Sequence, residues 1–189
     1  YNTFVGLNAG NFTMGSTATA TTYASYNSAM GANTLSKNTT GYYNSAMGYA
    51  ALYSNTSGYY NSAVGVNALY ANTTGNYNSA MGTRALYSNT SGFSNSAMGT
   101  SALYKNTTGY YNSAMGTSAL YSNAGYRNSA MGANALYANT TGSNNTAMGY
   151  VAGDNITTGS YNIIIGDNTD APSATGNYQL NIGNTIYGN

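Results

Sequence analysis

The residues best suited to acid–base chemistry in this sequence are its three carboxylates, Asp154, Asp167 and Asp170. The chain has no His, Cys or Glu, so these aspartates are its only conventional general bases near neutral pH. Asp167 and Asp170 lie in the segment Asp-Asn-Thr-Asp-Ala-Pro, whose composition favours a solvated turn over a catalytic pair. The segment also lacks the oxygen ligands of a calcium loop. The sequence therefore predicts no enzyme, with no catalytic residue, no metal site and no cofactor.

A second kind of chemistry is N-glycosylation, for which the sequence carries a recurring acceptor motif. Asn followed by Thr-Thr or Thr-Ser returns at a fixed position: Asn38, Asn55, Asn72, Asn89, Asn106 and Asn139. Asn11, Asn144 and Asn155 also satisfy the sequon. One interpretation is a rod that carries about one glycan per repeat. The other is that Asn-Thr-Thr-Gly is simply favourable corner chemistry, because Asn and Gly tolerate left-handed backbone angles.

Tyrosine and threonine columns raise two further ligand hypotheses. One recurring tyrosine is a candidate glycan contact, because sugars stack on aromatic faces: Tyr53, Tyr70, Tyr87, Tyr104, Tyr121 and Tyr137. The alternative interpretation is that these rings stack on one another. Threonines that follow the sequon asparagines resemble the regular hydroxyl rows of ice-binding surfaces, although these threonines lie beside Gly in a turn.

All of these residues belong to one short repeat. The string Asn-Ser-Ala-Met-Gly and its variants close at Gly31, Gly48, Gly65, Gly82, Gly99, Gly116, Gly132, Gly149 and Gly166. Most of these glycines are 17 residues apart, as Gly48 and Gly65 are, and the step from Gly116 to Gly132 is 16. A period this short indicates stacked, nearly identical coils rather than a globular domain with a pocket.

Each repeat contains two turn signals, which in residues 44–60 are Gly48 and the cluster at 55–58. Between them we expect two short extended stretches, 43–47 and 50–53, because recurring glycines interrupt any helix. The predicted fold is all-β: a parallel β-solenoid or β-roll with about one coil per 17 residues. We expect a single domain over residues 1–189, with irregular first coils at 1–26, regular repeats at 27–166 and a variant C-terminal coil at 167–189.

Two apolar columns are the candidates for core and interface. The residue before each repeat glycine is always apolar and is predicted to form an inward ladder: Met30, Met47, Val64, Met81, Met98, Met115, Met131, Met148 and Ile165. A uniform leucine column is Leu35, Leu52, Leu69, Leu86, Leu103, Leu120 and Leu136. Arg84 lies two residues before Leu86, and a charged side chain is expected to face solvent. If side chains alternate strictly along the strand, the leucines face outward with it. Either a corner turns them inward, or they form an oligomer interface covered by a neighbouring chain.

Asparagines in two columns are predicted to hydrogen-bond from coil to coil, as stacked amides do in cross-β assemblies. One column begins at Asn27 and Asn44, and the other is the sequon column that begins at Asn38. The recurring tyrosines are expected to stack in the same way, each ring over the next.

Composition excludes several classes of partner. A net charge of +1 releases few counterions, so nucleic-acid binding is not expected. No run of about 18 apolar residues occurs, so the sequence predicts no membrane insertion. Charged residues make up only 4% of the chain, which favours self-association, as a homotrimer or an end-to-end filament. We expect an extracellular, cell-surface or virion location.

Two segments carry a family resemblance. Asn-Ser-Ala-Met-Gly resembles the head repeats of trimeric autotransporter adhesins. The longer stretch at 139–149 looks more like bacteriophage tail-fibre repeats, and 177–189 is similar to the stretch that precedes an endosialidase-type intramolecular chaperone in such fibres. The resemblance implies parallel β-rolls assembled as homotrimers. It favours a non-enzymatic fibre segment with an adhesive surface that contacts cell-surface glycans; the alternative is a glycan-binding or ice-binding module.

Overall fold

The chain forms an all-β parallel solenoid with one short strand per coil. The computed structural model describes residues 1–10 and 24–183, and it describes the backbone of a last strand at 186–188. The described strands make one twelve-stranded sheet in sequence order. They are β1 Thr3–Val5, β2 Ser28–Met30, β3 Ser45–Met47, β4 Ser62–Val64, β5 Ser79–Met81, β6 Ser96–Met98, β7 Ser113–Met115, β8 Ser129–Met131, β9 Thr146–Met148, β10 Ile163–Ile165, β11 Leu180–Ile182 and β12 Ile186–Gly188.

Successive repeats stack in register, as the period predicted. Ser45 pairs with Ser62 and Met47 with Val64, and the same register continues through the parallel strands β1 to β11. Strand β12 runs antiparallel to β11 and occupies its far edge. The predicted solenoid of 17-residue coils is therefore confirmed. Residues 11–23 of the predicted irregular first coils lie outside the described part of the chain.

The face that each strand turns inward differs from the prediction. Ala46, at the centre of its strand, is only 3% exposed, whereas Met47 is 49% exposed. The inward ladder predicted at the methionine slot is wrong, because the alternation of a strand puts Ala46 and the adjacent slots on opposite sides. Ile165 is half-buried. The other members are 37–52% exposed: Met30, Met47, Val64, Met81, Met98, Met115, Met131 and Met148.

Leucine fills the interior instead. The segment after Gly48 is a turn and not the second extended stretch we expected, with left-handed φ angles of +53° at Ala50 and +51° at Leu52. The left-handed backbone at Ala50 and Leu52 makes the corner that points the Leu52 side chain into the interior. The interpretation of the leucines as an oligomer interface is wrong, because all seven are 0% exposed within their own chain: Leu35, Leu52, Leu69, Leu86, Leu103, Leu120 and Leu136.

Buried asparagines complete the interior, and their predicted ladders are confirmed. Asn44 Nδ2 donates to Asn27 Oδ1 at 3.1 Å, and Asn55 Nδ2 donates to Asn38 Oδ1 at 2.7 Å. Both amides of this coil also donate to the carbonyl of Gly58, at 2.8 and 3.0 Å. A buried amide without partners costs about 1–3 kcal/mol, so each coil depends on its neighbour for polar satisfaction as well as for burial.

Two glycines in each coil are required by close approach. Gly48 has a φ of +127°, and a Cβ there would lie 2.6 Å from the carbonyl oxygen of Gly65 in the next coil. A Cβ on Gly58 would overlap Asn55 Oδ1 and lie 2.8 Å from Asn72 Nδ2. The glycines therefore permit the tight stacking on which both ladders depend.

Candidate interaction surfaces

The outer side of strands β1 to β11 is a continuous, uncharged surface, which we call the Ser/Met face. It consists of the methionine slot and the residue two positions earlier in each strand. That earlier slot is exposed at Thr3, Ser28, Ser45, Ser62, Ser79, Ser96, Ser113, Ser129, Thr146 and Ile163. Ten steps of about 4.8 Å make the face about 48 Å long, and three residues make it about 10 Å wide. Sequence reasoning missed this surface because it assigned the methionine slot to the core.

The signal that could have identified the face is variation along its columns. Over β2 to β9 the buried slot of Ala46 always holds Ala, whereas the methionine slot also accepts Val64. A narrow interior tolerates little change in volume, while a solvent-facing slot accepts several apolar side chains. The two uniform apolar columns of the regular coils, alanine and leucine, are the buried ones.

Tyrosines form stacked rows on the surface, as predicted. In the row that begins at Tyr53, Tyr53 and Tyr70 have ring centroids 5.1 Å apart and an interplanar angle of 4°. The row continues at similar spacing through Tyr87, Tyr104, Tyr121 and Tyr137. Lys37 Nζ lies 4.8 Å from the centroid of the Tyr53 ring, on top of the row. Because neighbours cover the ring faces, the row offers ring edges and hydroxyls rather than open faces to a ligand.

A shallow groove of about 310 Å³ runs beside this row. Its walls are Tyr49 and the rings of Tyr53, Tyr70 and Tyr87, and two amide side chains, Asn33 and Asn67, add polar lining. Burial raises the pKa of Tyr70, and repulsion by the neighbouring phenolates of Tyr53, Tyr87 and Tyr49 adds to the effect.

The six repeated sequon asparagines lie in the interior, which contradicts their interpretation as glycosylation sites in the folded chain. Each is 0% exposed. The amide nitrogen that would carry the glycan is a hydrogen-bond donor inside the solenoid, as at Asn55. They are Asn38, Asn55, Asn72, Asn89, Asn106 and Asn139. Asn144 and Asn155 are half-buried, and Asn11 lies outside the described residues.

The threonines next to these asparagines use their hydroxyls to connect coils. Thr39 Oγ1 donates to the carbonyl of Thr56 at 2.9 Å, and Thr56 Oγ1 donates to that of Thr73 at 3.0 Å. The same bond recurs at Thr140. Because the threonine hydroxyls already donate to backbone carbonyls, the threonine column does not support the ice-binding alternative.

The structure brings together a different pair of carboxylates from the one that the sequence suggested. The carboxyl group of Asp154, and not that of Asp167, shares a hydrogen bond with Asp170. Partial burial, that hydrogen bond and the charge of Asp170 together raise the pKa of Asp154. In the described residues, no three His, Cys, Asp or Glu side chains converge on a common point.

Comparison with known proteins does not assign the chain to a family. No protein-family model, curated protein or solved structure matches the chain. Within the part of the chain that the structure covers, no helix has the length and hydrophobicity needed to cross a membrane.

Proposed function

We propose that this chain is a non-enzymatic structural segment of a fibre, and that copies associate laterally through the Ser/Met face. The observation that carries the proposal is the size and regularity of that face: eleven in-register strands without a charged side chain. The largest apolar patches on soluble monomers are about 300–600 Å² and are often functional. The whole strip of about 48 by 10 Å is of this size, and its apolar part is the methionine column, which runs beside a row of small hydroxyl side chains.

A second copy of the same chain is the partner that fits best. A standard interface buries about 800 Å² on each partner. Exposed tyrosines two residues before the strands, such as Tyr43 and Tyr60, flank the strip and extend the contact area towards that value. The face repeats at one strand per coil, so an identical, equally periodic surface complements it along its length. Cyclic symmetry closes such an assembly.

Lateral association is favoured over an end-to-end filament by the last strand. Strand β12 pairs antiparallel with β11, so the outer edge of β11 is not free to accept a parallel coil from another copy. A trimer agrees with the resemblance to phage tail-fibre and autotransporter-adhesin repeats. The same resemblance supports a fibre on a virion or a cell surface as the location that we propose.

Size-exclusion chromatography with light scattering tests the proposal on the whole chain at tens of micromolar. We expect a wild-type oligomer, most simply a trimer. The double variant Met98→Lys/Met115→Lys should be monomeric, because lysines at adjacent coils would bring like charges into the contact.

The matched control is Thr100→Lys/Thr117→Lys, which places the same two charges two residues later on exposed positions outside the Ser/Met face. This control should remain oligomeric, and circular dichroism should be the same for all three proteins. A monomeric wild type, or a control that dissociates as readily as the methionine variant, would contradict the proposal.

The groove beside the Tyr53 row supports a second candidate function, binding of an extended neutral glycan. Its amides, Asn33 and Asn67, and its tyrosine hydroxyls are suitable hydrogen-bonding groups. Saturation-transfer NMR with a panel of neutral oligosaccharides is the test. We expect signals that the Asn67→Ala variant loses; the absence of any signal from the panel would contradict this candidate.

A further inference from the structure

Thioethers form an unbroken line along part of the Ser/Met face. Five consecutive strands, β5 to β9, each present one methionine in the same register: Met81, Met98, Met115, Met131 and Met148. All five side chains are about half exposed, between 45% and 51%. A separate adjacent pair is Met30 and Met47, and Val64 interrupts the line between the pair and the run of five.

The spacing of this line matches the span of a metal ion held between two sulfurs. Register partners on adjacent parallel strands are about 4.8 Å apart. A metal–sulfur bond of about 2.3 Å puts two sulfurs about 4.6 Å apart when the ion lies midway between them. The methionine side chain has three rotatable bonds, so small adjustments close the remaining difference without moving the backbone.

The chemistry of the face selects the class of ion. Thioether sulfur is a soft ligand that prefers Cu(I) to hard cations such as Mg²⁺ or Ca²⁺. The chain has no Cys and no His, so these thioethers do not compete with a stronger soft ligand of the same molecule. The hydroxyls of Ser96 and Ser113, on the same strands, are neutral and do not repel a cation.

We infer that adjacent methionines of the Ser/Met face bind a soft monovalent cation of the Cu(I) class, each ion bridging two neighbouring coils. The inference does not rest on the proposed self-association, because one chain supplies both ligands. An ion and a second copy would compete for the same methionines, so Cu(I) is expected to weaken the association. When each thioether serves one ion, the run of five holds two ions and the pair of Met30 and Met47 holds a third.

Anaerobic titration with Cu(I), in competition with the chromophoric chelator bathocuproine disulfonate, measures the number of ions bound. Met98→Leu/Met131→Leu leaves three methionines of the run, none of them adjacent, and should lose two ions. The matched control, Met81→Leu/Met148→Leu, removes the same number of sulfurs but keeps three adjacent ones, and should lose only one ion. Met14 lies outside the described residues and is unchanged in every variant, so the differences are independent of it.

Leucine at these exposed positions keeps the face apolar, and unchanged circular dichroism will verify that both variants fold. X-ray absorption of the wild-type complex should find copper bound to sulfur alone, with two ligands. Equal losses in the two variants would mean that the number of thioethers, and not their adjacency, decides binding. That result, or copper bound to nitrogen or oxygen, or no Cu(I) retained by the wild type, would overturn the inference.

Discussion

The regular coils and the coil that begins at Asn145 fill the same interior with different residues. A regular coil buries Leu52, Asn55 and the small alanine of the next strand, Ala63. The later coil has Gly153 and Ile156 at the first two positions, and Ile164 on the following strand, all of them buried.

The different residues of the later coil fill the same interior volume as those of a regular coil. A Cβ on Gly153 would lie 3.3 Å from Ile164 Cγ1 and 3.4 Å from Ile156 Cδ1, so the two isoleucines occupy the space that leucine fills elsewhere. The sequon column also ends there, because Ile156 replaces its amide. Asn145 Nδ2 still donates to the carbonyl of Gly159 at 2.8 Å. The comparison shows that these interior residues are interchangeable only as a set.

The largest effect on the free energy of unfolding is expected when the three interior residues of one coil are replaced one at a time and not together. Leu136→Gly alone should cost about 3 kcal/mol in the free energy of unfolding, since a cavity of about 4 kcal/mol is offset by relief of a φ of +52°. Asn139→Ile alone should cost about 2 kcal/mol, through overpacking and the loss of the amide's hydrogen bonds to Asn123 Oδ1 and the carbonyl of Gly142. Ala147→Ile alone should cost about 2 kcal/mol by overpacking. The triple variant reproduces the later coil one repeat earlier and should lie within about 2 kcal/mol of wild type. Urea unfolding of all four variants measures this coupling, and additive costs would contradict it.

An effect about as large as one of these single replacements, and smaller than their sum, is expected from breaking one ladder within the regular coils. Asn89 Nδ2 donates to Asn72 Oδ1 at 2.8 Å and to the carbonyl of Gly92 at 3.0 Å. Asn106 Nδ2 in turn donates to Asn89 Oδ1 at 3.0 Å. Asn89→Leu removes these partners from buried amides and should cost about 3 kcal/mol, measured by urea unfolding.

The control for this ladder variant is a surface asparagine. Asn76 is half-buried, its Oδ1 accepts one hydrogen bond from the backbone N–H of Tyr59 at 3.0 Å, and it interrupts a second row of stacked rings that contains Tyr59 and Phe93. Asn76→Tyr restores the residue that the preceding coils carry, and should change stability by less than about 1 kcal/mol. A similar cost at both positions would mean that the buried ladder has no special role.

The sequence was sufficient to predict the stacking, the amide ladders and the tyrosine rows, because each follows from a residue type repeated at a constant step. It did not predict which slots face inward. Hydrophobicity favoured the column of Met47, but a strand of three residues has only one inward side chain, and Ala46 takes that place. The left-handed angles at Ala50 and Leu52 were also beyond the pattern, since neither residue type favours them locally. Tertiary packing of Leu52 must offset that strain.

The pairing of Asp154 with Asp170 could not be predicted either, because it depends on how the variant loop folds back onto the preceding coil. The contact between Asp154 and Asp170 gives the smallest of the expected effects on stability. The pKa of Asp154 is raised above 3.8, so the folded chain holds this proton more tightly than the unfolded chain does. Its contribution to stability is therefore present below pH 3.8 and is lost as the pH rises through the raised pKa.

Asp170→Asn removes the repulsion between the two carboxylates and should raise the melting temperature at pH 7, while changing it little at pH 3. Because the pair is largely solvated, the expected rise is small, below about 2 °C. Thermal unfolding followed by circular dichroism at the two pH values gives the comparison. Asp167→Asn is the control, since it removes a charge from the same loop without touching the shared hydrogen bond. An equal rise for both variants, or a rise at pH 3, would mean that net charge rather than the Asp154–Asp170 contact sets the stability of this coil.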